Sequence, residues 1–136
     1  MPYTRLRYHI VTGTHNREAL ITPSVESLLY PALQMKARDI DSRILAVGGI
    51  PDHVHLVAAL RPTVSVSDFM RVVKTGSCSA VREECGTEAF RWQRGYAAFT
   101  IAPHDLQGIL SYVNNQEQRH ANGDLWAAFE QIQKDD

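Results

Sequence analysis

A chain of 136 residues, 44% of them hydrophobic, has the length of one ordinary domain and is too apolar to stay disordered. No apolar run approaches the roughly 20 residues of a membrane span, and the first stretch, MPYTRLRYHIVTG, lacks the long apolar centre of a secretory leader, so a cytoplasmic protein without membrane contact is expected. Cys78 and Cys85 are the only cysteines, which excludes a disulfide framework and a CxxC zinc knuckle.

In chain order, Arg5 to Thr14 (RLRYHIVTGT) alternates, is rich in β-formers and predicts a first strand. Thr22-Pro23 has the form of an N-cap followed by proline at the first helical position. A helix follows over Ser24 to Arg38, with Val25, Leu28, Leu29, Leu33 and Met35 or Ala37 at helical spacing. Arg43 to Gly48 is a second strand, Gly49-Ile50-Pro51-Asp52 is turn chemistry, and His53 to Leu60 is a third strand closing a hairpin with the second. Val66 to Cys85 is a long helix capped by Ser65 or Ser67, with Phe69, Val72, Val73 and Val81 on its apolar side. Gly76 costs that helix about 1 kcal/mol relative to alanine. Tyr96 to Ala102 is a fourth strand. Pro103 opens a last long helix through His120, which Asn122-Gly123 ends, and Leu125 to Ile132 forms a short amphipathic piece.

The order β-α-β-β-α-β plus a further helix is the ferredoxin-like, α+β pattern. It predicts an antiparallel sheet with both long helices on one face and the other face free for a ligand or for the added helix. Residues 1–136 are read as a single domain, with a core over about 3–120 and a short acidic tail, 123–136. The whole chain carries a net charge of −1. The tail holds Asp124, Glu130, Asp135 and Asp136 against Lys134, so the remaining body carries +2. Basic residues gather at Arg5 and Arg7, at Arg71 and Lys74, and at Arg91 and Arg94, which permits a local phosphate-binding face. Scattered solvated charge is the alternative.

His53 and His55 interrupt an otherwise apolar strand. Residues i and i+2 of a strand share a side, so His53, His55 and Val57 face out while Val54, Leu56 and Ala58 face the helices. Two imidazoles on a rigid platform make a two-toothed clamp for a divalent metal. Alone, the pair equally describes two polar residues on a solvated sheet face, and a metal site needs a third ligand. The last helix carries Tyr112 and Gln116 at i and i+4, which places a phenol and an amide on one face, with His120 one turn further. Tyr112 can act as a nucleophile beside a Lewis acid, and the Gln116 carbonyl suits a hard cation. Each alone also reads as ordinary packing or helix surface.

Together these stretches resemble a known family. PDHVHLVAAL, the helix containing VVKTGSCSAV, then WQRGYAAFTI and YVNNQEQRH look like the single-tyrosine HUH transposases. These are the insertion-sequence transposases of the IS200 type, with the REP-associated tyrosine transposases as cousins. The resemblance runs from RYHIVTGTHNRE to about His120. The His-hydrophobic-His motif is met by His53-Val54-His55, the tyrosine-x-x-x-glutamine by Tyr112 and Gln116, and the entry to the last strand by Trp92-Gln93-Arg94-Gly95-Tyr96. Lys74-Thr75-Gly76-Ser77-Cys78-Ser79 approximates the family's second helix. The chain departs from the pattern in Gly13-Thr14-His15-Asn16-Arg17, where a more basic stretch is usual, in Arg119-His120 where many members pair two histidines, and in its acidic tail.

The resemblance implies a substrate, single-stranded DNA with hairpin ends, and a divalent ion, Mg2+ or Mn2+, held by His53, His55 and Gln116. It implies attack by Tyr112 on a phosphodiester to give a 5′-phosphotyrosine, and a homodimer whose tyrosine helix can reach the partner's histidine pair. Arg5, Arg7, Arg71 and Lys74 are the candidate DNA-phosphate contacts. Trp92 and Tyr96 either stack on bases or pack in the core. Two other readings stay open: a catalytically silent or host-adapted hairpin-binding relative, and a small metal-dependent hydrolase that needs the histidine pair and not Tyr112.

Overall fold

The computed structural model describes residues 2–130. Among them lies a four-stranded antiparallel sheet built from β1 (Arg7–Gly13), β2 (Arg43–Ile50), β3 (His53–Ala59) and β4 (Ala97–Thr100), in the order β2-β3-β1-β4. With α1 (Pro23–Arg38) after β1 and α2 (Val66–Cys85) after β3, this is the ferredoxin-like arrangement that the element order predicts. β1, β3 and β4 are shorter than the sequence pattern suggests, whereas β2 runs on through Gly49 and Ile50, expected in the turn, because these pair with Val54 and His53.

The caps form as the sequence predicts. The Thr22 hydroxyl accepts from the Val25 N–H at 3.3 Å with Pro23 at the first helical position, and Ser65, rather than Ser67, accepts from the Asp68 N–H at 3.0 Å. Each satisfies a donor that a helix start leaves free. On α1 the buried positions are Leu29, Leu33 and Ala37, while Met35 is exposed. On α2 they are Phe69, Met70, Val73, Ser77 and Val81. All of these except Ser77 pack with Ile10, Val54, Leu56 and Ala58 of the sheet into the main core. Trp92 and Tyr96 pack against that core, and the Trp92 indole N–H donates to the Ser77 hydroxyl at 3.2 Å. Of stacking on bases and packing in the core, these two aromatics do the second.

Strand alternation sends the opposite set to the other face. Register pairs His9 with Val57, Val11 with His55 and Gly13 with His53, so His9, His53 and His55 share one side with Val57. That face is covered rather than open. α3 (Leu106–Asn114) lies across it, and Ile109 and Val113 join Ala46, Val57 and Ile101 in a second, smaller core.

The long last helix expected from Pro103 to His120 is broken. A 3-10 turn spans Pro103–Asp105, α3 ends at Asn114, and α4 (Gln116–Asn122) restarts after Asn115, whose backbone leaves the helical region (φ −113°, ψ 26°). Side-chain amides compete here with the backbone ladder. The Asn115 Nδ2 donates to the Ser111 carbonyl at 2.7 Å and the Gln116 Nε2 donates to the Tyr112 carbonyl at 3.1 Å. Those are the acceptors a continuous helix would give to the backbone N–H groups of residues 115 and 116. Gly123, at φ 70°, ends α4, as Asn122-Gly123 predicts. The amphipathic piece after it is a 3-10 turn over Ala127–Glu130; Ile132, its expected end, lies outside the described residues.

Candidate active site

The site is assembled where β3 begins and where α3 breaks into α4. The turn at Pro51-Asp52 sets His53 as the first residue of β3, and the two-residue period carries His55 to the same side. Both rings are buried. Each has its Nδ1 held from behind. Asp52 Oδ1 lies 2.7 Å from His53 Nδ1 and also 3.2 Å from Arg17 Nη2, and His9 Nε2 lies 2.9 Å from His55 Nδ1. A proton on Nδ1 leaves Nε2 with its lone pair, the state that a metal ligand needs.

The two Nε2 atoms converge on one carboxylate. His53 Nε2 is 3.3 Å from Glu130 Oε1 and His55 Nε2 is 3.2 Å from Glu130 Oε2. His120, one turn beyond Gln116 on α4, brings its Nε2 to 3.1 Å from Glu130 Oε1 and 3.1 Å from the Gln116 side-chain oxygen. The contacts at His53 and His55 are close yet miss hydrogen-bonding geometry, so both buried ring nitrogens lack a hydrogen-bond partner. One donor atom from each of His53, His55, His120 and Glu130 lies within 4.8 Å of all the others. Opposed ligands at 2.0–2.1 Å from a magnesium ion are about 4 Å apart, so the three histidine donors alone, like the full set of four, are spaced for one divalent ion. The orphaned nitrogens are the groups such an ion would satisfy.

Tyr112 stands in the same place. It is fully buried, its ring centroid 5.7 Å from that of His55. Its hydroxyl donates to Glu130 Oε2 and accepts from the Trp126 backbone N–H at 3.1 Å. Trp126 stacks on the phenol at 4.4 Å with 21° between the planes, and the Arg119 guanidinium lies over both rings at 4.8 and 5.1 Å. One chain therefore brings the histidine pair, the phenol and the amide together.

Burial and charge set the protonation states. Burial, then the neighbouring His55, pushes His9 down to about 3. Burial lowers His55 and His120 against the opposing pull of Glu130. Burial would raise Glu130, but the adjoining His53 and His55 rings and the Tyr112 hydroxyl outweigh it and hold the carboxyl well below its usual range. Burial, then Glu130, raises the Tyr112 phenol. The directions agree: neutral His9, His55 and His120 rings and a protonated phenol stand around one carboxylate anion.

The basic residues singled out in the sequence do not converge on this cluster. Arg7 pairs with Ala59 at the opposite end of β1 from the Gly13–His53 pair, about 20 Å away at strand rise. Arg5 is exposed and its guanidinium rests on the Tyr3 ring. Arg71 is exposed beside Asp68 at 3.7 Å. The Lys74 ammonium donates to the carbonyls of Gln93 at 2.6 Å and Gly95 at 3.1 Å, which ties α2 to the loop before β4.

The sequence profile described as transposase, IS200 like, matches residues 2–116. The chain belongs to this family. The transposase for insertion sequence element IS200 of Salmonella typhimurium is 26% identical over 124 residues, covering 87% of this chain and 81% of that protein. Two solved structures share the fold. One is a candidate transposase from Deinococcus radiodurans R1, with a TM-score of 0.68, 23% identity and coverage of 85% of this chain and 93% of that one. The other is a REP-associated tyrosine transposase solved bound to a REP hairpin, with a TM-score of 0.65, 19% identity and coverage of 92% and 73%.

For an IS200-like transposase, three neighbours of the histidine pair escape sequence reasoning. His9 reads as one more polar residue in an alternating strand, and only the β1–β3 register brings it to His55. Asp52 reads as a turn residue; its place immediately before His53 is the one local signal for it. Glu130 reads as one charge of an acidic tail, and no local pattern marks its approach to residues more than seventy positions earlier.

Proposed function

We propose that the protein cuts and rejoins single-stranded DNA near hairpin ends, with Tyr112 as nucleophile. The observation that carries this reading is the convergence of Tyr112, Gln116 and His120 with His53 and His55 within one chain. His53, His55 and Gln116 would hold a divalent ion, Mg2+ or Mn2+, with His120 beside them. When bound, that ion polarises the scissile phosphate and offsets charge on the departing 3′-oxygen. Asp52 and His9 orient the two imidazoles. Tyr112 Oη bonds to phosphorus as the P–O3′ bond breaks; the phenol loses its proton and the 3′-oxygen leaves as a hydroxyl. The energy of the phosphodiester is kept in the 5′-phosphotyrosine, so a DNA 3′-hydroxyl can reverse the step without ATP. Arg5, Arg7 and Arg71 are the proposed phosphate contacts away from the scissile bond, and the hairpin in the related complex supports that substrate class. A homodimer and a cytoplasmic location complete the proposal; no described helix is long and apolar enough to cross a membrane.

Incubating the protein with hairpin-bearing single-stranded DNA and Mn2+ tests it. A covalent protein–DNA adduct that resists denaturation and disappears in Tyr112→Phe, with Mn2+ affinity retained, is expected. Hairpin binding with no adduct would leave a silent DNA-binding relative, and hydrolysis that survives Tyr112→Phe would leave a metal-dependent hydrolase.

A further inference from the structure

The residues just past α4 contact the histidine cluster, the Tyr112 hydroxyl and Arg119. Glu130 places its carboxylate between three imidazole Nε2 atoms at 3.1–3.3 Å. It also takes the only proton of the Tyr112 hydroxyl. The Trp126 N–H fills that hydroxyl's accepting side at 3.1 Å, and its indole covers one face of the phenol. Asp124 pairs with Arg119 at 3.3 Å, beside the same two rings. An incoming phosphodiester must touch both the Tyr112 oxygen and the ion held by the histidines. That position is taken by the Glu130 carboxylate, so strand and segment exclude each other.

The segment also has the chemistry of what it replaces. A carboxylate at the ion position, a second carboxylate on an arginine and an indole stacked on an aromatic ring correspond to two phosphates and a base. Its seat is shallow: Trp126 is 39% exposed and Leu125 38%. The second core includes only Phe129 from it, partly buried. Release gives up the Trp126 stack on Tyr112 and the Phe129 contact with His9, and a cleft of about 450 Å3 runs alongside, between Thr100, Gly108 and Phe129.

We infer that residues 124–130 are a built-in substrate mimic that closes the active site, and that the cation and the single strand must displace it. This rests on the nuclease-transferase reading above. Glu130 is then a competitor of the bound ion, neither its permanent ligand nor the base for Tyr112. A plug seated nine-tenths of the time weakens apparent affinity about tenfold.

Full-length wild type, Glu130→Ala and Trp126→Ala are compared in two measurements: Mn2+ affinity from the free-ion EPR signal, and the rate of adduct formation on hairpin-bearing DNA. Both variants are expected to bind Mn2+ about tenfold more tightly and to form adduct several-fold faster. Weaker Mn2+ binding in Glu130→Ala makes the carboxylate a ligand and overturns the inference. Slower adduct formation with unchanged metal affinity makes it the base, and overturns the inference equally. Unchanged affinity and rate in both variants show that the segment does not close the site. If wild type and variants alike form no adduct, the strand-transfer reading fails, and the Mn2+ comparison still decides whether the segment competes for the ion position.

Discussion

His9 Nε2 lies 2.9 Å from His55 Nδ1, both rings buried, and the other nitrogen of His9 has no hydrogen-bond partner. Only one proton can sit between the two rings. If His55 is to offer a bare Nε2, its proton must be on Nδ1 and pass to His9 as a hydrogen bond, which obliges His9 to carry its own proton on Nδ1. If instead His9 donates, His55 is protonated on Nε2 and faces Glu130 as a donor. His9 thus sets which tautomer of His55 is available. His9→Leu should weaken Mn2+ binding by about 10–100-fold, the usual cost of losing a partner behind a ligand, while His9→Gln, which can still accept from Nδ1, should recover most of it. Equal loss in both variants by Mn2+ titration would mean that the ring acts through packing alone.

The same ring predicts how stability follows pH. His9 is held at about 3, by burial first and by His55 second, with Glu130 opposing. Its ordinary value is about 6.5. The folded state keeps the ring neutral where the unfolded chain would protonate it, so the unfolded state binds more protons as pH falls below 6.5. The contribution is complete above that value and is lost progressively as pH drops toward 3. Lowered His55 and His120 act in the same direction, as does the depressed Glu130 carboxyl over its more acidic range. The melting temperature should fall steadily from pH 7 to pH 4, and His9→Gln should make the fall shallower. A variant whose pH profile parallels wild type would show that His9 is protonated with little penalty.

The fold and half of the site were legible because they are periodic. Alternation placed Val54, Leu56 and Ala58 toward the helices and His53 and His55 away from them, and the register bears this out residue by residue. The i, i+4 spacing of Tyr112 and Gln116 survives even though the helix does not: the Gln116 amide bridges the break to the Tyr112 carbonyl. The break itself was hidden because Asn114-Asn115 carries no proline or glycine, and only the competition for the Ser111 and Tyr112 carbonyls disfavours continuity. His9 and Glu130 reach the site by strand pairing and by chain return, which no single stretch encodes.

Lys74 and Arg71 were grouped by charge, and their surroundings separate them. The Lys74 ammonium serves the Gln93 and Gly95 carbonyls, whereas the Arg71 side chain is 69% exposed next to Asp68. Lys74→Met removes donors from part-buried acceptors and should lower stability by about 1–3 kcal/mol, with little change in how hairpin binding depends on salt. Arg71→Ala should leave the melting temperature near wild type and reduce the slope of log K against log salt by about 1 if it meets a phosphate. Thermal melts and binding isotherms between 50 and roughly 200 mM salt distinguish the two. An unchanged slope in Arg71→Ala would remove that residue from the proposed DNA face.

Gly48 decides how close the tyrosine helix comes to the sheet. It pairs with His55 across β2 and β3, so a side chain there would project on the site face. A Cβ at Gly48 would stand 2.0 Å from the Val113 carbonyl oxygen, and backbone cannot yield as a flexible side chain does. Gly48→Ala must push the end of α3 outward, carrying Tyr112 and the Asn115 break with it. Overpacking of this kind costs about 1–3 kcal/mol, and a displacement of about 1 Å at a reacting group costs on the order of 100-fold in rate. The variant should therefore stay folded, with a lower melting temperature, and form adduct roughly 100-fold more slowly or worse. The Mn2+ affinity of the histidines, which sit on the unmoved strand, should fall much less. Adduct formation at the wild-type rate would show that the position of α3 on the sheet does not set the approach of the phenol.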